Sequence, residues 1–187
     1  MSRASSERVP HEDNILAHSA VLVPDAFKAA FRRHPAGVAV ITADSGGGPV
    51  GLTATSVISV SAEPPLLVFS LSASSSATAA ITEADTVVVH LVPATELETA
   101  KRFATSGIDR FADMSTWTRA ATGEPVLLCS ATRIRGKIID RLTAGGSVIV
   151  AAQALEVSVP TESVEPLVYF DRTWHTLDES SELPARG

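Results

Sequence analysis

The residues best suited to holding a ligand are small, polar and consecutive. They form the run Thr-Ala-Thr-Ser at residues 53–56, between a predicted strand and a Pro-Pro pair at 64–65. Small side chains leave backbone N–H groups accessible, and hydroxyls both donate and accept hydrogen bonds. Such a run can lie flat against a planar, hydrogen-bonding ligand. The same residues are also consistent with an edge strand whose hydroxyls face outward.

The bulk composition excludes several classes of protein. Hydrophobic residues make up 45% of the 187 residues and charged residues 19%, which predicts one compact domain with a sizeable core. A net charge of -6 without a Lys/Arg cluster argues against nucleic acid as a partner. No apolar run is long enough to span a membrane. The single cysteine, Cys129, precludes an intramolecular disulfide and suits a reducing compartment, so we expect a cytoplasmic protein.

The pattern along the chain predicts short strands and few helices. Residues 1–20 are polar and predict a flexible N-terminal tail, residues 21–177 the folded domain, and residues 178–187 a polar C-terminal tail. Helices are predicted from Pro24 to Phe31 and at 74–81 and 96–103. Strands are predicted at 37–43, from 49 onward, and at 66–71, 86–92, 126–140, 147–159 and 167–170. This organisation favours a mainly β protein with peripheral helices, and specifically a β-barrel.

Several motifs, taken in order, resemble one known family. They are Phe-Arg-Arg-His-Pro-Ala-Gly-Val-Ala-Val-Ile-Thr at 31–42, Gly-Leu-Thr-Ala-Thr-Ser at 51–56, and Ser-Val-Ser and Pro-Pro-Leu at 59–61 and 64–66. Next come Val-Val-Val-His-Leu-Val at 87–92, Ala-Lys-Arg-Phe-Ala at 100–104, Arg110-Phe111 and Gly-Glu-Pro-Val-Leu at 123–127. Pro-Leu-Val-Tyr-Phe at 166–170 and Trp174 complete the series. Together they resemble the flavin reductase-like proteins with an FMN-binding split barrel.

The resemblance implies a homodimeric split β-barrel that binds FMN or FAD. It implies a flavin reductase that transfers a hydride from NAD(P)H to the flavin and supplies reduced flavin to a partner monooxygenase. The flavin carries the hydride chemistry, and the protein positions it. The cofactor-binding residues that the resemblance implies are Thr53, Ala54, Thr55 and Ser56 at the ring and ribityl chain, Ser70, Leu71 and Ser72 along the chain, Ser74 and Ser75 at the phosphate, and His90, Lys101 and Arg102.

The chain departs from the family at the hydride donor. Many family members carry Gly-Asp-His where this chain has Gly-Gly-Ser at 145–147, so Ser147 takes the place of a histidine that helps to position the nicotinamide. Serine can donate a hydrogen bond but lacks the reach and charge of imidazole. The alternative function is therefore an FMN-binding split-barrel protein without reductase activity. A split-barrel dimer without flavin, acting as an interaction protein, is a weaker third reading.

Several assignments stay open at this stage. His90 stands where the family often has Asn, and it is consistent with a flavin contact or with a histidine that caps a strand end. Lys101 and Arg102 are consistent with a phosphate clamp or with a solvated helix face, and the serines at 72–76 with a solvated loop. The histidines show no metal-ligand spacing, so no metal site is predicted. The absence of Gly-x-Ser-x-Gly disfavours a serine hydrolase.

Overall fold

The computed structural model describes residues 23–129 and 131–184. The predicted tail at 1–20 and the last three residues of the predicted C-terminal tail lie outside these ranges. The helices are α1 (Pro24–Arg32), α2 (Thr78–Glu83) and α3 (Leu97–Ala104). The strands are β1 (Ala36–Gly37), β2 (Ala39–Ala43), β3 (Val50–Ala54), β4 (Ile58–Ala62), β5 (Pro65–Ser72), β6 (Thr86–Leu91), β7 (Trp117–Arg119), β8 (Pro125–Leu127), β9 (Thr132–Ala144), β10 (Ser147–Ser158), β11 (Leu167–Phe170) and β12 (Thr173–Thr176).

A seven-stranded antiparallel sheet dominates the described part of the chain. Its strands follow the order β3-β2-β6-β9-β10-β5-β4, while β1-β11-β12 and β7-β8 form two small sheets. The prediction of a mainly β protein with peripheral helices is therefore confirmed. None of the described helices combines the length and the apolar character needed to cross a bilayer.

One end of the large sheet approaches the strand next to its other end through a side chain. Ser56, just beyond β3, donates its hydroxyl to the carbonyl of Ser70 on β5 at 3.0 Å and accepts the Ser70 N–H at 2.9 Å. This pair of bonds substitutes for a backbone ladder between β3 and β5. The sheet thus curls until the polar segment that follows β3 lies beside the polar end of β5.

Two apolar clusters stabilise this arrangement. The larger one lies inside the curled sheet and includes Ile41, Phe69, Ile81, Val89 and Val150, which are fully buried. The second cluster lies on the other face of β2, under α3 and the β7–β8 hairpin. It is built around Phe103, Phe111 and Trp117, whose rings meet edge to face with centroids 5.1–5.2 Å apart. β2 carries buried residues on both faces, which explains its uninterrupted run of apolar and β-branched side chains.

Some predicted elements need correction. The helix predicted at 74–81 begins only at Thr78, because Ser75 N–H and the Thr78 hydroxyl both bond to the carbonyl of Ser72 and hold residues 72–77 in turns. The strand predicted at 126–140 is two strands, β8 and β9, and they belong to different sheets. β7 and β12 were not predicted. The α1 and α3 predictions are confirmed to within a residue.

Candidate functional site

A cleft of about 660 Å³ opens where the segment after β3 meets the end of β5. The structure brings together in it nine residues singled out from the sequence: Thr53, Ala54, Thr55, Ser56, Ser70, Leu71, Ser72, Ser74 and Ser75. The opposite wall comes from the end of α3 and the loop that follows it. This wall adds Phe103, Ala104, Ser106, Gly107 and Arg110.

The wall from α3 is held against β3 by a glycine and a threonine. A Cβ on Gly51 would lie 2.7 Å from Cε1 of Phe103 and 3.0 Å from the Ile41 carbonyl oxygen, so any larger residue would displace that ring. The Thr53 hydroxyl donates to the Ala100 carbonyl of α3 at 2.6 Å. Both contacts fix the distance between the polar segment after β3 and the Phe103 side of the cleft.

The hydroxyls around the cleft divide into two groups. Those of Thr53, Ser56, Ser72 and Ser74 are used inside the protein, bonding to Ala100, to Ser70 and to each other. In contrast, those of Thr55, Ser70, Ser75, Ser76 and Ser106 make no hydrogen bond to any other described residue. The first group shapes the cleft, and the second group is available to a ligand. Because β3 is an edge strand, backbone groups along its outer side are also outside any ladder.

Arg110 is the one charged residue among the described residues that line the cleft. Its Nη2 donates to the Thr105 carbonyl at 2.8 Å, whereas its Nε is buried and has no partner within the described chain. The neighbouring Phe111 is buried against Phe103 and Trp117, which anchors the backbone that carries Arg110. The sequence motif Arg110-Phe111 alone does not predict that Arg110 lines the cleft.

Lys101 and Arg102 do not line this cleft. Lys101 is exposed and pairs with Glu98 one turn earlier at 2.7 Å, as a solvated helix face would. The Arg102 guanidinium lies over the outside of the Phe103 ring, 5.5 Å from its centroid. Neither side chain lines the cleft, although the Nε of Arg102, like that of Arg110, is buried without a partner among the described residues, and their assignment as phosphate contacts stays a prediction.

His90 is a structural residue rather than a wall of the cleft. It is fully buried, and its Nδ1 lies 3.1 Å from the Val40 carbonyl oxygen while its Nε2 accepts the Leu127 N–H at 3.1 Å. Because a carbonyl only accepts and an amide N–H only donates, the ring must be neutral with its proton on Nδ1. Burial lowers the pKa of His90 from 6.5 to about 4, against the opposing effect of the Val40 carbonyl. Both ring nitrogens have partners in the described chain, which favours the structural reading of His90 over the flavin contact.

Ser147 lies next to the cleft but not among the residues that line it. It begins β10 directly opposite Ser72 of β5, and directly opposed residues of antiparallel strands project to the same face. The preceding Gly146 accepts the Ala73 N–H through its carbonyl at 2.9 Å. The hairpin turn between β9 and β10 is thereby attached to the serine-rich end of the cleft.

The lining determines what the cleft can do chemically. Among the described lining residues there is no carboxylate, imidazole, thiol or amine, so the side chains present cannot run acid–base or nucleophilic catalysis. They offer hydroxyls, edge-strand backbone, one aromatic ring and one guanidinium. Such a lining suits a polar, anionic molecule.

Comparison with known proteins places this cleft in a recognised context. The chain is 41% identical over 152 residues to an NADH:FMN oxidoreductase of Rhodococcus qingshengii, covering 80% of this chain and 79% of that one. It is 32% identical over 153 residues to the FMN reductase (NADH) RutF of Variovorax paradoxus, covering 81% and 84% of the two chains. The solved flavin reductase domain protein from Arthrobacter sp. FB24 superposes with a TM-score of 0.79 at 34% identity, covering 88% and 99%.

The match extends across the whole described sheet. Residues 31–178 fit the flavin reductase like domain, from the end of α1 to just beyond β12. This range contains both walls of the cleft, as well as the Gly-Gly-Ser turn at 145–147. The resemblance inferred from the sequence motifs is confirmed, and the chain belongs to the flavin reductase like domain family.

Proposed function

We propose that this protein is an NADH-dependent flavin reductase whose flavin is FMN. The observation that carries the proposal is the cleft itself. It has a volume of about 660 Å³ and is lined by free hydroxyls, edge-strand backbone and a partly unpaired guanidinium. Relatives with 41% and 32% identity are named for reduction of FMN by NADH. A flavin held by these residues would supply the hydride-accepting chemistry, with the nicotinamide as the hydride donor.

The residues of the cleft fit a flavin mononucleotide. The side chains at 53–56 are small enough for a planar ring to approach the outer edge of β3, where backbone N–H groups can stabilise negative charge. The buried, unpartnered Nε of Arg110 is a donor that a phosphate oxygen would satisfy. The free hydroxyls of Ser75 and Ser76 supply further donors on the same cleft. Arg110, rather than Lys101 or Arg102, is therefore the proposed phosphate contact.

We also propose that the protein is a homodimeric split barrel. Apolar side chains stand exposed on strands at and near one edge of the large sheet, including Ile58 and Val60 on β4 and Leu155 and Val157 on β10. A second copy would cover this apolar face. The Ser56–Ser70 contact supports a barrel that is closed by side chains at this point.

A flavin held by one guanidinium and several hydroxyls is suited to exchange. A site with one charge-assisted contact to the flavin instead of two binds it less tightly by about 1.5–3 kcal/mol, or one to two decades of affinity. We therefore propose that reduced flavin leaves the cleft and reaches a separate monooxygenase, in keeping with the family resemblance. The proposed location is the cytoplasm.

The test is oxidation of NADH followed at 340 nm with purified protein and added FMN. We expect turnover above the rate without protein, and a smaller or absent rate when FMN is omitted. No turnover with NADH or NADPH, and with FMN or FAD, would contradict the reductase. If the protein then still bound FMN tightly, the alternative of a flavin-binding protein without reductase activity, motivated by Ser147, would be the better description.

A further inference from the structure

The residue that follows Arg110 is held by its backbone as well as by its ring. The Phe111 N–H donates to Oδ1 of Asp109 at 2.9 Å, and the Phe111 carbonyl accepts the indole N–H of Trp117 at 3.0 Å. Its ring meets the rings of Phe103 and Trp117 edge to face, with centroids 5.1–5.2 Å apart. Neither backbone polar group of Phe111 can therefore change its direction without losing a partner.

The contact from Trp117 is the more firmly fixed of the two hydrogen bonds. Trp117 begins β7, where it pairs with Leu127 of β8, and it is buried. Its hydrogen bond to the Phe111 carbonyl is buried too, whereas the bond from Phe111 to Asp109 is only partly buried. A buried carbonyl that loses its donor must either stay unpaired or move towards water, and both changes are costly. The indole N–H thus determines where the backbone of Phe111 lies.

The position of Phe111 in turn directs Arg110 towards the cleft. The peptide bond between the two residues is planar, so a fixed Phe111 backbone also fixes the backbone from which the Arg110 side chain extends. The guanidinium itself is tied to the described chain by one hydrogen bond, from Nη2 to the Thr105 carbonyl, while its Nε is buried without a described partner. Hydrogen bonds weaken steeply with distance and angle, so a small shift of this backbone moves Nε out of reach of a ligand.

We infer that Trp117 is a positioning residue that sets the preference of the cleft for a phosphorylated flavin. The inference rests on the proposed function, in which the Arg110 guanidinium contacts the phosphate of FMN. Trp117 does not line the cleft itself. It acts through the Phe111 carbonyl, and Arg110 is the group that this hydrogen bond holds in place. Riboflavin has the ring and the ribityl chain of FMN but no phosphate, so its binding does not depend on the Trp117 N–H.

The test is titration of the full-length protein with FMN and with riboflavin, followed by flavin fluorescence. Trp117→Phe keeps an aromatic ring in the cluster and removes the N–H, so the affinity for FMN should fall about three- to tenfold and that for riboflavin should stay within about twofold. In an Arg110→Met background, Trp117→Phe should cause no further loss for FMN. Trp174→Phe is the matched control, since that ring packs against Tyr169 and does not line the cleft, and it should leave both affinities unchanged.

Asp109 gives a second test that leaves the apolar cluster intact. Asp109 is exposed, and Asp109→Ala removes the acceptor of the Phe111 N–H. Asp109→Asn is its matched control, because the amide oxygen still accepts a hydrogen bond and both variants remove the same negative charge. We expect Asp109→Ala to bind FMN about two- to fivefold more weakly than Asp109→Asn, and the two variants to bind riboflavin equally.

The outcomes separate the inference from the proposed function. Equal losses for FMN and riboflavin in Trp117→Phe, no loss for either, or a further loss in the Arg110→Met background would each overturn the inference. If Trp117→Phe does not fold, a difference between the two Asp109 variants that is confined to FMN supports the inference, and no difference overturns it. A protein that shows the expected binding losses but oxidises no NADH would contradict the reductase while supporting the role of Trp117.

Discussion

Polar residues are concentrated in two regions of this protein, and the two regions use them in opposite ways. In the cluster around β6 and β8, His90 bonds to Val40 and Leu127, and the Thr42 hydroxyl donates to the Pro125 carbonyl. Glu124 is 4% exposed and accepts hydrogen bonds from Thr86, Thr122 and Arg135. In the cleft, by contrast, five hydroxyls and the Arg110 Nε have no partner among the described residues.

The two regions differ in whether their polar groups have hydrogen-bond partners rather than in residue type. Burial alone would raise the pKa of Glu124, but the hydrogen bonds from Thr122, Thr86 and Arg135 outweigh it and lower the pKa to about 2. A buried polar group with all its partners specifies the fold, because removing one partner leaves the other buried without a hydrogen bond. A polar group beside a cavity that lacks a hydrogen-bond partner can bond to a ligand. On this basis the buried cluster determines stability, and the cleft determines binding.

The largest expected effect comes from breaking the buried cluster at His90. His90→Leu keeps roughly the volume of the side chain but leaves the Leu127 N–H buried without its imidazole partner and removes one hydrogen bond to the Val40 carbonyl. The unpaired N–H costs about 1–3 kcal/mol and the lost bond about 0.5–1.5 kcal/mol, so the free energy of unfolding should fall by roughly 1.5–4.5 kcal/mol in urea denaturation. The KM for FMN of the folded variant should stay within about twofold of wild type. A loss of FMN binding with unchanged stability would reverse the assignment of the two regions.

The pH dependence of stability should follow from the same residue. Burial lowers the pKa of His90 in the folded protein from 6.5 to about 4. Between these two pH values the unfolded chain binds a proton on His90 and the folded protein does not. Stability should therefore decline as the pH falls from about 6.5 towards 4, by roughly 3 kcal/mol in total. Glu124 adds its own decline only below about pH 4.5, because its pKa is also lowered on folding.

Urea denaturation at pH 7.5, 6, 5 and 3.5 separates these contributions. His90→Leu should remove the decline between pH 6.5 and 4.5 and leave the decline below it. His175→Gln is the matched control, because His175 lies exposed on β12, and it should retain the wild-type profile. A wild-type profile that is flat between pH 7.5 and 5 would refute the neutral, Nδ1-protonated state of His90.

A smaller effect on the fold, but a clear one on binding, is expected at Arg110. Arg110→Met removes the proposed phosphate donor, so the affinity for FMN should fall about 10- to 100-fold, corresponding to about 1.5–3 kcal/mol. Fluorescence titration with FMN measures it. Lys101→Met removes a cation from the solvated face of α3 and should change the affinity by less than about threefold. Riboflavin, which has no phosphate, should bind both variants like wild type; equal losses for FMN and riboflavin would assign Arg110 to another part of the flavin.

The sequence predicted the small-residue side of the cleft well and the other side poorly. Residues 53–56 are read from a local pattern, since small hydroxyl residues at the end of a strand need no tertiary information to be recognised. Arg110 depends on the packing of Phe111 against Phe103 and Trp117, which are distant in the chain from β3. The two readings of His90 stayed open because a strand position alone does not tell which face of β6 it occupies. Only the β8 backbone, brought over that face, gives its Nε2 a partner.

The smallest expected effect tests whether the edge of the cleft takes part in donor binding. Ser147 projects to the same face as Ser72, so Ser147→Ala should remove at most one neutral hydrogen bond to the nicotinamide, about 0.5–1.5 kcal/mol. The KM for NADH should rise about two- to tenfold with FMN saturating, whereas Ser158→Ala at the other end of β10 should leave it unchanged. Reduced nicotinamide mononucleotide should show the same rise, because the contact is to the half that it retains. A rise for NADH alone would place Ser147 beside the half of the donor that the mononucleotide lacks, and an unchanged KM for both donors would exclude Ser147 from donor binding.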